Sequence, residues 1–229
     1  MKKIFEKYEF IFCIALIILY IVINSICVNN FGVADYISLI INTLFSICLI
    51  ILIKSINGFK FYGFTKVSDL KKYLYFLPLL FIISVNLWGG INTDYSISTV
   101  IFHILNMFNI GFIEEVIFRG FLFKMMEKDN LKSAIIVSSI TFGIGHIINL
   151  LNGAEFISTL MQVFYAISIG YLFVVIFHNS GSLVPCIVCH SIFNALSIFH
   201  IERFVYFTSI VLIVVPLIYA YYINKVVKE

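Results

Sequence analysis

Residues 98–123 read STVIFHILNMFNIGFIEEVIFRGFLF, a run long enough to cross a bilayer that nonetheless carries Glu114, Glu115 and Arg119. A span needs roughly 20 apolar residues, because the hydrocarbon core is about 30 Å thick and a helix rises about 1.5 Å per residue. An ionisable side chain at mid-span costs about 2.5–3.5 kcal/mol on insertion scales, so three cost up to about 9 kcal/mol. The Val, Ile, Leu and Phe residues of the run return roughly 7 kcal/mol at about 0.5 kcal/mol each. Insertion alone is near break-even, so the three charges must face protein or a water-filled cavity rather than lipid. The run is the polar-bearing helix of a membrane bundle.

The rest of the chain agrees with lipid as its solvent. Of 229 residues, 62% are hydrophobic and only 12% charged, and the mean hydropathy is +1.07. Such a chain cannot cover its surface with polar groups, which excludes a water-soluble globule and a disordered chain. A net charge of +3 supplies no basic face for phosphates, which excludes a nucleic-acid partner. Eight spans are expected, at about 9–28, 34–53, 73–90, 98–123, 133–151, 156–178, 183–200 and 204–224. They form one all-α integral membrane domain over residues 1–229, with no soluble domain and no internal repeat.

Charge sets the orientation. With the N-terminus in the cytoplasm, Lys2, Lys3, Lys7, Lys54, Lys60, Lys66, Lys71, Lys72, Arg119, Lys124, Lys128, Lys132, Lys225 and Lys228 all fall on the cytoplasmic side, and Arg203 alone does not. Asp35, Asp94, Glu155 and Glu202 occupy the outer links. This is the positive-inside asymmetry of a plasma-membrane protein with both termini cytoplasmic. No small-x-small site follows the first apolar run, so it reads as an uncleaved span. Five cysteines, mostly inside spans, do not make a disulfide framework.

Helical spacing sorts the intramembrane polar groups. Glu115 and Arg119 are four apart and share a face, which makes an ion pair within the helix available. Glu114 is turned by about 100° from Glu115 and points elsewhere. His146 lies in the fifth span, four residues after Phe142, with Gly143 and Gly145 permitting close approach of a neighbouring helix. His190 and Asn194 share a face of the seventh span. Counted from the cytoplasmic ends at about 1.5 Å per residue, the depths of Glu114, His146 and His190 overlap. Three helices can then present a carboxylate, two imidazoles and an amide to one cavity in the cytoplasmic half. The alternative is that each is interhelical glue, worth about 0.6 kcal/mol on average. His103, His178 and His200 lie near span ends and read as interfacial, and Asn106, Asn109 and Gln162 as packing contacts. Cys186-Ile-Val-Cys189-His190 matches the C-x-x-C-H haem pattern, but lies inside a span where haem attachment expects a soluble outer segment.

Glu114-Glu115-x-x-x-Arg119, Phe142-x-x-x-His146 and His190-x-x-x-Asn194 stand in order on successive polar-bearing spans. Together they resemble the signature of the CAAX protease and bacteriocin-processing family (Abi family) of intramembrane proteases, which includes the type II CAAX prenyl endopeptidases. The resemblance covers residues 98–200, a catalytic core within the membrane domain. It implies that Glu114 is the general base, that His146 helps it to activate a water, and that His190 and Asn194 stabilise the oxyanion. Glu115, Arg119 and Phe142 would support the site. Peptide hydrolysis requires a deprotonated water at the carbonyl and donors aimed at the developing charge. The expectation is a metal-independent glutamate mechanism with no cofactor. The alternative is a zinc site made of Glu114, His146 and His190 with an open position for water.

The expected substrate is a membrane-associated or amphipathic peptide, or a membrane protein, cut at the cytoplasmic side of a bacterial plasma membrane. Bacterial relatives are linked with peptide maturation and bacteriocin immunity, so a non-catalytic immunity or scaffold protein of the same fold is the rival reading. A proton-coupled transporter is the second, because intramembrane Glu and His also mark relays. It predicts an inverted repeat or paired broken helices, and the sequence has neither.

Overall fold

The computed structural model describes residues 5, 7–67 and 76–226. Lys2, Lys3, Lys71, Lys72 and Lys228 of the charge map, and residues 73–75 of the third expected span, lie outside them. Among the described residues there is no strand. Six helices are long and apolar enough to cross a membrane: α1 (Glu9–Asn30), α2 (Tyr36–Ser55), α4 (Ile97–Glu127), α5 (Leu131–Leu151), α6 (Phe156–Ser180) and α8 (Val205–Lys225). Between them lie two shorter apolar helices, α3 (Leu77–Leu87) and α7 (Val184–Phe199).

The seventh expected span is therefore corrected to a short helix, and of the third the described residues form the helix Leu77–Leu87. At about 1.5 Å per residue, 16 residues of α7 give roughly 24 Å, less than the hydrocarbon core. Pro185 at its first turn follows a left-handed Gly181 (φ +69°), and its last turn tightens into a 3-10 helix at Ser197–Phe199. Helix α7 packs against α4 on one side and α3 on the other. Its Cys186, Cys189, His190, Ser191 and Ala195 are buried, while Val184 and Val188 remain exposed.

Helix starts follow local chemistry. The Asp35 side chain accepts the Ile37 N–H at 2.7 Å, Ser96 that of Thr99 at 3.2 Å, Asn130 that of Ser133 at 2.9 Å and Glu155 that of Ser158 at 2.7 Å. Each satisfies a donor that the first turn leaves open.

Successive helices alternate in direction, giving the bundle two ends. At one end Lys128 pairs with Glu9, His178 with Glu127, and Leu183 donates its N–H to Gly63. At the other, Asn29 bonds Asn152, and Asn92 donates its N–H to the Phe199 carbonyl. The bundle is inside-out relative to a soluble domain. Phe10, Ile11, Ile18, Leu80 and Tyr221 are exposed, while Asn42, Ser46, Asn106, Ser138 and Arg119 are buried. Asn42 donates to Asn106 at 2.8 Å, and Asn109 donates to Thr43 at 3.0 Å, tying α2 to α4.

Helix α4 changes pitch in its last third. Val116–Phe123 is π-helical, and all eight of its residues are buried. Its Phe118, Phe121 and Phe123 meet Phe142, Tyr62 and Phe177 respectively, forming an aromatic layer between the polar centre and the lysine-bearing end. Short π-helical insertions are enriched where a helix has to re-aim side chains.

Candidate active site

Two glycines let the polar helices touch. A Cβ on Gly111 of α4 would meet the Ser191 backbone N and Cα, both at 2.9 Å, so only glycine allows this approach of α7. The contact brings His190 up to the next turn of α4, where Glu114 and Glu115 lie. A Cβ on Gly143 of α5 would meet the Val163 carbonyl oxygen at 2.8 Å and the Ile167 nitrogen at 2.9 Å on α6. That seam holds α5, and with it Phe142 and His146, against the bundle. Gly145 has open space around it and plays no such part.

His190 sits between the two glutamates. Its Nδ1 lies 2.8 Å from Glu115 Oε1, and its Nε2 lies 3.2 Å from Glu114 Oε2, the second approach lacking hydrogen-bond alignment. An ionised carboxylate only accepts, so Nδ1 carries a hydrogen and donates to Glu115. Glu115 Oε1 also accepts from Arg119 Nη1 at 2.9 Å, and both side chains are 0% exposed. The rest of the guanidinium lies over aromatic faces, 4.0 Å from the Phe142 centroid and 5.6 Å from that of Phe173. Buried cation–π contacts of this kind are worth about 2 kcal/mol. Phe142 in turn presents its ring edge-to-face to His146 at 5.3 Å and to His190 at 5.6 Å.

Glu114 has a different environment. Its Oε1 accepts the Tyr20 hydroxyl of α1 at 2.6 Å. Its Oε2 is buried and has no hydrogen-bond partner. The residue faces a cavity of about 480 Å³ that His146, Asn149, Gln162, Asn194 and His200 also line. A recess of about 50 Å³ is lined by His190, Phe142 and Phe173, and it shares His146, Gln162 and Asn194 with the larger space. Room and polar partners of this order suit bound water.

The sequence-derived residues therefore meet, in two groups. Glu114, Glu115, Arg119 and His190 are in direct contact, and Phe142 and His146 join them through rings. Asn194 shares the cavities, while its backbone carbonyl accepts from Ser197 Oγ at 2.7 Å. Tyr20 was missed: a tyrosine in an apolar first span carries no sequence mark separating a packed ring from a hydroxyl aimed at a carboxylate. His103, expected at the interface, is instead buried, with Nε2 3.3 Å from the Asn194 carbonyl oxygen. The expected depth put the cavity in the cytoplasmic half, yet its lining draws on Val28, Val33, Ala154, Ser158, His200 and Val205, all from the lysine-poor end.

The atoms named for the zinc alternative lie as follows: Glu114 Oε2 has no hydrogen-bond partner and is 3.2 Å from His190 Nε2, His190 Nδ1 is taken by Glu115, Glu114 Oε1 is held by Tyr20, and His146 lines the same cavity. Among the described residues, no group of three or more His, Cys, Asp or Glu is arranged to hold a metal. Cys186 and Cys189 are buried free thiols directed at the Phe173 and Leu79 carbonyl oxygens.

No curated protein and no solved structure matches the chain. Residues 96–196, which hold all seven motif residues, match the family model described as type II CAAX prenyl endopeptidase Rce1-like, and the resemblance carried by the three motifs is thereby shown.

Proposed function

We propose that this protein is an intramembrane endopeptidase in which Glu114 is the general base. The observation that carries the reading is the Glu114 carboxylate: one oxygen is held by Tyr20, and the other is buried without a hydrogen-bond partner beside a polar cavity. A base needs a fixed geometry and a free lone pair, and a buried carboxylate in a peptidase family's membrane bundle has both.

Glu114 Oε2 takes a proton from a water that His146 helps to hold, and the water oxygen bonds to the peptide carbonyl carbon. The carbonyl oxygen becomes an oxyanion, which the Asn194 amide and His190 stabilise. Collapse breaks the C–N bond, and the proton on Glu114 passes to the leaving amine. Glu115 fixes the His190 ring through Nδ1, and Arg119 fixes Glu115. Each oxyanion donor in a water-poor site is worth about 10²–10³ in rate. No metal enters the scheme. The substrate class is a membrane-associated or amphipathic peptide short enough in section to enter the cavity.

The test is Glu114→Gln in proteoliposomes supplied with a pooled library of fluorogenic amphipathic peptides. Cleavage is expected to fall by at least about 10²-fold, as for loss of a general base. Unchanged cleavage by a variant that still inserts and accumulates would overturn the proposal in favour of a non-catalytic scaffold.

A further inference from the structure

We infer that the cavity takes its peptide from the extracytoplasmic face of the membrane. The inference rests on the hydrolytic reading above and adds the side from which the substrate comes. It joins two independent observations, one from the coordinates and one from the charges.

The first is the shape of the site. The cavity is lined by the end of α1 (Asn24, Val28), the start of α6 (Ser158, Thr159), the end of α7 (Ser197) and the start of α8 (Val205). These segments meet at one end of the bundle. Toward the opposite end, Arg119, Phe121, Phe123, Phe173 and Leu183 are fully buried below Glu115 and close that route. The three motifs share this polarity. Helix α4 runs toward the closed end, so Glu114 precedes Arg119 on the open side. Helices α5 and α7 run away from it, so His146 and Asn194, which follow Phe142 and His190, also lie on the open side.

The second is the distribution of cations. Among the described residues, Lys7, Lys54, Lys60, Lys66, Lys124, Lys128, Lys132 and Lys225 belong to the closed end, whereas of the cations only Arg203 belongs to the open end, with Asp35, Asp94, Glu155 and Glu202. No Lys or Arg lines the cavity. Short lysine-bearing links remain in the cytoplasm, which puts the open end outside. The substrate class that follows is a secreted or translocated peptide, or an outer loop of a membrane protein.

The experiment labels introduced thiols in right-side-out and inside-out membrane vesicles with a sulfonated, membrane-impermeant maleimide, in a background carrying Cys48→Ala. Ser158→Cys at the cavity mouth and Met107→Cys deeper in its wall are expected to react at least tenfold faster in right-side-out vesicles. Lys128→Cys is expected to react only in inside-out vesicles. Met107→Cys reacting from the inside-out side, or failing to react from outside, would overturn the proposal, as would Lys128→Cys reacting from outside. Because no substrate is used, any of these results leaves the hydrolytic reading standing or falling on its own test.

Discussion

Replacing Arg119 by methionine probes a fully buried ion pair. The guanidinium and the Glu115 carboxylate are both fully buried, 2.9 Å apart. At that separation an effective dielectric of about 20 gives an attraction of about 6 kcal/mol, set against a desolvation cost of several kcal/mol per ion. The pair is joined by one N–H···O contact, and Glu115 Oε2, Arg119 Nε and Arg119 Nη2 have no hydrogen-bond partner. So the net worth of the pair is small, while removal of one member is expensive. Arg119→Met leaves a buried carboxylate facing only His190 and is expected to cost about 3–5 kcal/mol. Glu115→Leu combined with Arg119→Met removes both ions, a change worth about 1–4 kcal/mol in favour of folding, but strands the His190 Nδ1–H at about 1–3 kcal/mol. The double variant should therefore lie within roughly 3 kcal/mol of the parent and be more stable than the single one. Its cleavage should still fall by at least about tenfold, because a ring freed from Glu115 no longer holds Nε2 in place, and small misplacements cost up to about 10². Thermal unfolding in detergent and peptide cleavage in proteoliposomes read the two quantities separately. A double variant no more stable than Arg119→Met, or one that cleaves at the parental rate, would refute the idea that the pair is kept to orient His190.

Tyr20→Phe removes one hydroxyl and leaves the ring packing unchanged. If the 2.6 Å bond positions Glu114, kcat should fall about tenfold with KM little altered, as for a lost hydrogen bond to a charged group worth about 1.5–3 kcal/mol. A lower melting temperature at unchanged kcat would assign Tyr20 to stability alone. Gly143→Ala should destabilise by about 1–3 kcal/mol, since the new methyl group meets α6 backbone that cannot turn aside. Gly145→Ala has open space around the site and should be neutral or better in the same melting assay, because alanine is the stronger helix former.

What the sequence made legible, and what it left hidden, divides along a physical line. Helical period fixes which side chains of one helix share a face, so the Glu115–Arg119 pair could be read from a spacing of four, and lipid left those ions no other place to go. Period says nothing about which other helix stands opposite. Tyr20, 94 positions from Glu114 in the chain, could not be found that way, nor could His103 be separated from an interfacial histidine. Composition misled on the length of α7, because hydropathy does not separate a short apolar helix such as Val184–Phe199 from one that crosses the bilayer. The adjacent seam glycines were ambiguous for a related reason: residues two apart point to opposite sides of a helix, and only Gly143 faces α6. The open end of the site was within reach. Depth counted along separate helices assumes that every helix starts at the same level. The order of residues within each motif makes no such assumption. Given the direction of each helix, it places Glu114, His146 and Asn194 beyond Arg119, Phe142 and His190 as seen from the lysines, which is where the cavity lies.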